Sequence, residues 1–470
     1  MQTEPNNPMP STSLPRTPSL ACLESKFLSG AEDRTKSTGW KWDVDIYDRP
    51  GWNSFTYQFP IWGGIKKGAN NEVLIRFDTA DANAINDDFY FEHYRQVVLS
   101  SKDGGKRWKE IDVDWKSRIA PIELSDGTFV QIVYKSKLLT RKQQKERLEE
   151  LGIGHTWRDD CSLNWDLWPK EMAKELKEQG LSVWDKETEP SPGYRYLPEG
   201  VVATHPKSDL VVRRSIDQGR TWQQKDLNVS MDGFGRADLC SPGSVVLPDD
   251  TILVPFCRQK KNRPPSGEVT LSRCGVSVFR SEDNGHTWQI IEVGTGEAGA
   301  VTSETTLVYH PSGRVISIMR SGGADGQVHC SVSDDGGKTW TAPKRTGISN
   351  ISCPLSGICL NSGNILCVYT RRDFPAGVRA ALSYDRGESW DVANEKILRD
   401  DVLPSSYIGG PGSVQLDDGS IFTFYSIVKV VTPGEKDKTD RDQPLVLNPG
   451  FHQYISGSRY TEDYIKPLDG

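Results

Sequence analysis

One eight-residue pattern, Ser-x-Asp-x-Gly-x-x-Trp, occurs five times in this chain, and it limits the possible folds more than any other feature. The copies run from Ser101 to Trp108, Ser215 to Trp222, Ser281 to Trp288, Ser333 to Trp340 and Ser383 to Trp390. The steps from Asp217 to Asp283, Asp335 and Asp385 are 66, 52 and 50 residues, near the period of a four-stranded propeller blade. The step from Asp103 to Asp217 is 114, which implies an insertion. Each residue type has a local task. The Asp carboxylate can accept backbone N–H bonds across a turn, the Gly can take positive φ, and the Trp can pack on apolar neighbours. Five aspartates fixed in separate turns are therefore read as structural, not as one catalytic or calcium-binding set.

A second repeat interleaves with the first. Apolar run, turn and apolar run recur from Ile122, Val245, Leu307, Ile358 and Val414, with a weaker copy from Ile61. Six such hairpins predict an all-β fold, a six-bladed β-propeller spanning residues 37–470. The composition agrees, since 43 Gly, 28 Pro and 14 Trp suit many short strands better than long helices. After the last hairpin, the segment from His452 to Tyr460 ends without a Trp turn, so the sixth blade must close the ring differently.

Two segments fall outside this pattern. Residues 1–36 are rich in Pro, Ser, Thr and Asn without periodicity and are expected to be a disordered tail. Residues 138–200 are expected to form a helical insertion, with one short helix from Thr140 to Gly152 and another from Pro169 to Gly180. They form either a lid over a pocket or decoration at its rim.

With 57 Lys and Arg against 64 Asp and Glu, the chain carries a net charge of −7, which disfavours a nucleic-acid partner. No apolar run is long enough to span a bilayer and residues 1–20 lack the apolar centre of a signal peptide, so no membrane association and a cytoplasmic location are expected. Nine cysteines without a C-x-x-C pair are read as reduced, mostly buried thiols.

The Trp-ended turns resemble the Asp boxes of the sialidase (neuraminidase) superfamily, six-bladed propellers, and the resemblance spans roughly residues 40–460. In that family the site lies on the propeller axis. Three arginines grip the sugar carboxylate, a Tyr paired with a Glu is the nucleophile, and an Asp is the acid/base. A neutral phenol avoids repulsion by the carboxylate of the substrate.

What the resemblance implies here is mixed. Glu304 and Arg320 match the family's Glu and second Arg at the two ends of one hairpin. For the third Arg, the segment before Ser383 offers Arg371, Arg372 and Arg379, of which Arg379 fits best. Gln58 stands where the first Arg belongs, and an amide lacks the charged fork that grips a carboxylate. Gly410 stands where the Tyr belongs, with Tyr407 three residues upstream as the substitute nucleophile. The same offset on the other hairpins gives Arg118, Ser241 and Pro354, and Arg118 can replace the missing cation. For the acid, Asp87 and Asp88 are available, Asp88 being chosen, with His93 as runner-up.

The implied function is glycoside hydrolysis of a glycan bearing a sialic, ulosonic or uronic acid, either through Tyr407 or by direct activation of water. Two alternatives stand beside it: a non-catalytic glycan-binding propeller, and a propeller lyase or other small-molecule enzyme. A small-molecule or glycan substrate is the expected partner. No cofactor or metal is expected, and the oligomeric state stays open.

Overall fold

The computed structural model describes residues 38–48, 52–55, 64–81, 95–111, 122–134, 163–164, 183–184, 210–217, 221–227, 229, 236–239, 243–262, 270–295, 300–323, 326–349, 355–371, 376–402, 409–430 and 451–467. Everything described belongs to the unit Thr35–Gly470. The tail expected over 1–36 and both helices expected between 138 and 200 lie outside the described residues. Inside that insertion, Leu163–Asn164 and Val183–Trp184 pair in parallel.

Six small antiparallel sheets follow one another along the chain, as the hairpin count predicts. Blade I is built on Val73–Asp81, which pairs with both Trp52–Phe55 and Ile65–Lys67 on one side and Arg95–Ser101 on the other. Blade II holds Ile122–Glu123, Phe129–Tyr134, Leu210–Ser215 and Gln223–Asp226. In blade III, Arg236–Asp238 and Val245–Val246 share the partner Ile252–Asn262, followed by Thr270–Ser281 and Gln289–Gly294. Blade IV runs Ala300–Tyr309, Val315–Gly323, Gln327–Ser333 and Lys344–Ser349, and blade V runs Leu355–Cys359, Ile365–Arg371, Gly377–Ser383 and Lys396–Arg399. Blade VI takes Gly409–Gln415, Ile421–Val430 and Phe451–Tyr460 from the end of the chain and its outer strand, Lys41–Tyr47, from the beginning. That strand is the different closure which the missing Trp turn implies. Its alternation suits an edge strand: Trp42, Val44 and Ile46 pack inward, while Asp43 and Asp45 are exposed.

Neighbouring blades are tied around the whole ring. Lys66 pairs with Glu123 at 2.5 Å between blades I and II, and the Ser125 N–H donates to Asp250 Oδ1 at 3.0 Å between II and III. The Leu307 N–H donates to the Gly243 carbonyl at 3.0 Å between III and IV, and Arg314 pairs with Glu388 at 2.6 Å between IV and V. The Asn361 N–H donates to Gln415 Oε1 at 2.7 Å between V and VI, and Lys67 pairs with Asp417 at 2.7 Å to close VI onto I.

Between the blades lie the hydrophobic cores. Leu124, Val130 and Ile132 of blade II meet Ile252, Val254 and Phe279 of blade III. Val308, Ile316 and Ile318 of blade IV meet Leu355, Cys367 and Tyr369 of blade V, and Leu366, Val368 and Leu382 of blade V meet Ile421 and Tyr425 of blade VI. A sheet buried on both faces reads as a continuous apolar run, which explains strands such as ILCVY from Ile365. Cys257, Cys330, Cys359 and Cys367 form no disulfide, and burial pushes the Cys330 thiol up to about 12. Among the described residues no helix is long and apolar enough to cross a membrane.

The five Asp boxes have one shared geometry. In each, the Asp accepts the backbone N–H four residues on: from Arg107 at 2.9 Å, Thr221 at 2.8 Å, Thr287 at 2.8 Å, Thr339 at 2.9 Å and Ser389 at 2.8 Å. The side chain of that same residue donates to the second carboxylate oxygen, as Thr339 Oγ1 does to Asp335 at 2.6 Å. The box Ser donates to the Asp, and in the four boxes whose Gly is among the described residues it accepts the Gly N–H, as at Gly285, 2.9 Å from Ser281 Oγ. These carboxylates are consumed within their own turns, and among the described residues no group of acids, His or Cys is arranged to hold a metal.

The same bonding predicts an acid limit to stability. Burial raises the Asp335 carboxyl, but hydrogen bonds from Thr339, Ser333 and Lys338 outweigh it and bring the group from 3.8 to about 2. Asp103, Asp283 and Asp385 are lowered in the same way. A carboxylate whose folded pKa lies below its unfolded value contributes stability that is complete above about pH 4 and is lost as the pH falls toward 2. The thermal midpoint should fall steeply over that interval, and Asp335→Asn should shallow the fall while lowering the midpoint at pH 7. A midpoint independent of pH between 4 and 2 would overturn this account.

Candidate functional site

The inner strand of blade IV changes character along its length. Leu307 and Val308 are core residues, whereas Thr302, Ser303, Glu304, Thr305 and Thr306 are polar and yet all at most 4% exposed. Such a run is tolerated only where the polar groups find partners. Thr305 Oγ1 donates to the Ile318 carbonyl at 2.8 Å and lies 3.0 Å from Ser317 Oγ. Glu304 finds Arg320: Nη1 of the arginine donates to Glu304 Oε2.

Backbone register brings this pair together. Tyr309 faces Val315 and Thr305 faces Met319 across the hairpin, and the ladder then shifts between Thr302 and Thr305, leaving Ser303 and Glu304 in an irregular stretch opposite Arg320. A bulge of this kind re-aims a side chain that a regular ladder would hold in place. The carboxylate is 4% exposed and the arginine side chain 15%, so the accessible edge of the pair belongs to the cation. A guanidinium offers five N–H donors, and Glu304 does not exhaust them.

Arg379 is placed differently. It lies on the third strand of blade V, opposite Tyr369 and Ile397. Tyr369 packs against blade IV, so Arg379 faces the seam into which Ile316, Ile318 and then Arg320 project from the other side. Its Nε is 3.7 Å from Glu395 Oε1, and its Nη1 donates to the Arg399 carbonyl at 3.1 Å. Tyr369 donates its hydroxyl to the same Glu395. Glu304 and Arg320 are thus brought into contact, while Arg379 is engaged within its own blade by a Tyr–Glu pair that no sequence spacing flagged.

Gly410 occupies in blade VI the position that Glu304 holds in blade IV. Gln415 faces Ile421 as Tyr309 faces Val315, and both ladders shift a few residues upstream, between Gly409 and Gly412 in blade VI. Its φ is +57°, a conformation that any residue with a Cβ adopts only with strain. Gln58, Asp88, Arg118 and Tyr407 lie outside the described residues, as do Asp87, His93, Ser241 and Pro354; Arg371 is described, Arg372 is not.

A cleft of about 450 Å³ between the outer strands of blades V and VI is lined by residues including Lys41, Asp43, Asp45, Arg399, Asp401 and Tyr464, and not by Glu304, Arg320 or Arg379. Arg399 is already held there by Asp401, Asp45 at 3.6 Å and Ser456 Oγ at 2.8 Å. It clamps the closing strand onto blade V.

A family model described as a BNR repeat-like domain matches residues 198–423. Among solved structures, a protein of unknown function from Dyadobacter fermentans is similar over 91% of this chain and 98% of its own, with 20% identity and a TM-score of 0.56. The intramolecular trans-sialidase from Ruminococcus gnavus, solved with oseltamivir carboxylate, is 14% identical with a TM-score of 0.47, covering 88% of this chain and 97% of its own. A sialidase from Streptococcus pneumoniae is 13% identical with a TM-score of 0.48, covering 90% and 71%. No curated protein matches the chain. At 20% identity the first likeness establishes a shared fold, and the two sialidases add no argument to it.

Proposed function

We propose that this chain, a BNR-repeat six-bladed β-propeller of the sialidase superfamily, is a glycoside hydrolase acting on a glycan that carries a sialic, ulosonic or uronic acid. One observation carries the reading: a buried carboxylate, Glu304, ion-paired with the less deeply buried Arg320 on the inner hairpin of one blade. Burying an ion pair is rarely the cheapest way to stabilise a sheet, so a pair placed where the ladder is irregular points to a task. Arg320 would take the sugar carboxylate, with Arg118, Arg379 and Gln58 as further contacts. Hydrolysis breaks the bond from the anomeric carbon to the leaving oxygen, which takes a proton from an acid, for which Asp88 is the candidate. The anomeric carbon is then captured either by Tyr407, activated by Glu304 and later released by water, or by water directly.

Gly410 favours a second reading. Where the resemblance calls for the nucleophile there is no side chain, as in a propeller that binds an acidic glycan without cleaving it.

The test is release of the aryl group from aryl glycosides of sialic acid, of uronic acids and of glucose. Release from an acidic glycoside alone is expected, and Arg320→Lys, which keeps the charge and loses the fork, should lower kcat/KM at least tenfold. Binding without release from any acidic glycoside would replace hydrolysis by the binding reading. Equal turnover of the neutral and acidic sugars would remove the role of Arg320.

A further inference from the structure

A second cavity, of about 180 Å³, lies at the outer part of the seam between blades IV and V. Cys330, Thr341, Lys344, Gly387, Glu388 and Trp390 are among its lining residues, and Glu304, Arg320 and Arg379 are not. One wall comes from the outer strands of blade IV and the other from the Asp box of blade V. Lys344 faces Cys330 across the ladder, so both side chains lie on the face that packs into this seam, whereas Arg345 faces His329 on the opposite side. The box presses close from blade V: a Cβ on Gly387 would lie 2.9 Å from Ile316 and 3.6 Å from Cys330 Sγ.

One donor in this wall is left over. Trp108 and Trp288 give their indole N–H groups to the carbonyls of their own box glycines, Gly105 at 2.9 Å and Gly285 at 3.0 Å. Trp390 makes no such bond to Gly387. It is 8% exposed, and its Nε1 has no hydrogen-bond partner among the described residues. Trp340 also leaves its N–H unpaired but is less deeply buried. The Cys330 thiol neighbours the Trp390 indole, and sulfur is too weak an acceptor to replace a carbonyl. A buried N–H without an acceptor is unfavourable. Because Trp390, Cys330 and Gly387 all line the cavity, the N–H edge of the indole belongs to its wall.

The other polar groups have the same sense. Lys344 is exposed and has no ion pair among the described residues. Thr341 Oγ1 accepts the Val332 N–H at 3.1 Å, which leaves its own proton to donate. Glu388, the one carboxylate in the lining, is already paired with Arg314 at 2.6 Å.

We propose that this cavity binds a single oxyanion group, a carboxylate, sulfate or phosphate, which accepts from Trp390 and Thr341 and neutralises Lys344. Such a group supplies both the acceptor that the buried N–H lacks and the charge that the lysine lacks. A volume below the roughly 300–1,000 Å³ of pockets for drug-sized ligands suits one small group and is too small for an oligosaccharide. The group is either a free ion or the charged end of a larger ligand whose remainder stays outside. The site is separate from the hydrolysis proposed above and does not depend on it.

Calorimetric titration of the full chain with sulfate, phosphate and acetate, against chloride at matched ionic strength, tests the site. Saturable binding of at least one of the three is expected. Trp390→Phe, which keeps a ring and removes the N–H, should weaken it roughly three- to tenfold. Lys344→Gln should weaken it roughly two- to fivefold, and Lys344→Arg should bind like the parent. Should Trp390→Phe fail to fold, the two variants of the exposed Lys344 carry the test alone. Glucose 6-sulfate and glucuronic acid distinguish the sources. If they bind more tightly than sulfate and acetate, with the same dependence on Lys344, the group is glycan-borne; if more weakly, it is the free ion, and both results support the site. No saturable binding of any of the three anions would overturn the inference. So would binding that Arg320→Lys abolishes and Lys344→Gln leaves unchanged, because the anion would then occupy the other seat.

Discussion

Arg320→Ala should destabilise the protein by about 3–5 kcal/mol, because it leaves Glu304 as an uncompensated charge at 4% exposure. The penalty comes from the stranded carboxylate more than from the lost attraction. Adding Glu304→Gln to Arg320→Ala should recover most of the loss, since an amide can be buried without a counter-charge. Denaturant unfolding at pH 7 checks both outcomes. A loss below about 1 kcal/mol at pH 7, the value for an exposed pair, would show that water screens Glu304 and that the buried-pair argument fails.

Trp288→Ala should cost about 3–5 kcal/mol, and Trp222→Ala markedly less, although both residues end the same eight-residue motif. Trp288 is 9% exposed and belongs to the core between blades II and III, with its indole N–H donating to the Gly285 carbonyl at 3.0 Å. The backbone carrying it approaches blade II closely: a Cβ on Gly285 would lie 2.9 Å from Val130. Trp390 plugs the seam between blades IV and V in the same way, and Trp108 lies 5.5 Å from Phe422 of blade VI. Trp222 instead is only half-buried, stacking under the Arg213 guanidinium at 5.1 Å. Thermal unfolding of the two variants compares them directly. Equal losses would mean that the motif stabilises its own turn and that the seam contributes nothing.

Much of the fold is legible because its signals are local. An Asp box closes within five residues, so serine, aspartate and glycine at fixed spacing nearly dictate its hydrogen bonds. The apolar hairpins give the blade count for the same reason. The contact between Glu304 and Arg320 was readable too, since one hairpin sets their register. The engagement of Arg379 by Glu395 was not, because it depends on how a loop after the Asp box returns across its own blade.

Taken by itself, the sequence determined six blades, five Asp-box turns and one hairpin with a carboxylate and an arginine at its ends. All of these follow from interactions between residues close in the chain, where closing the intervening loop is cheap. Only the tertiary structure decided how the ring shuts and which face of each strand meets which neighbour. The Ser458 hydroxyl donates to Asp43 at 2.6 Å across 415 residues of sequence, and no local preference of either segment encodes that pairing. It forms because blade VI has an unpaired edge and the strand Lys41–Tyr47 has an apolar face to bury against it.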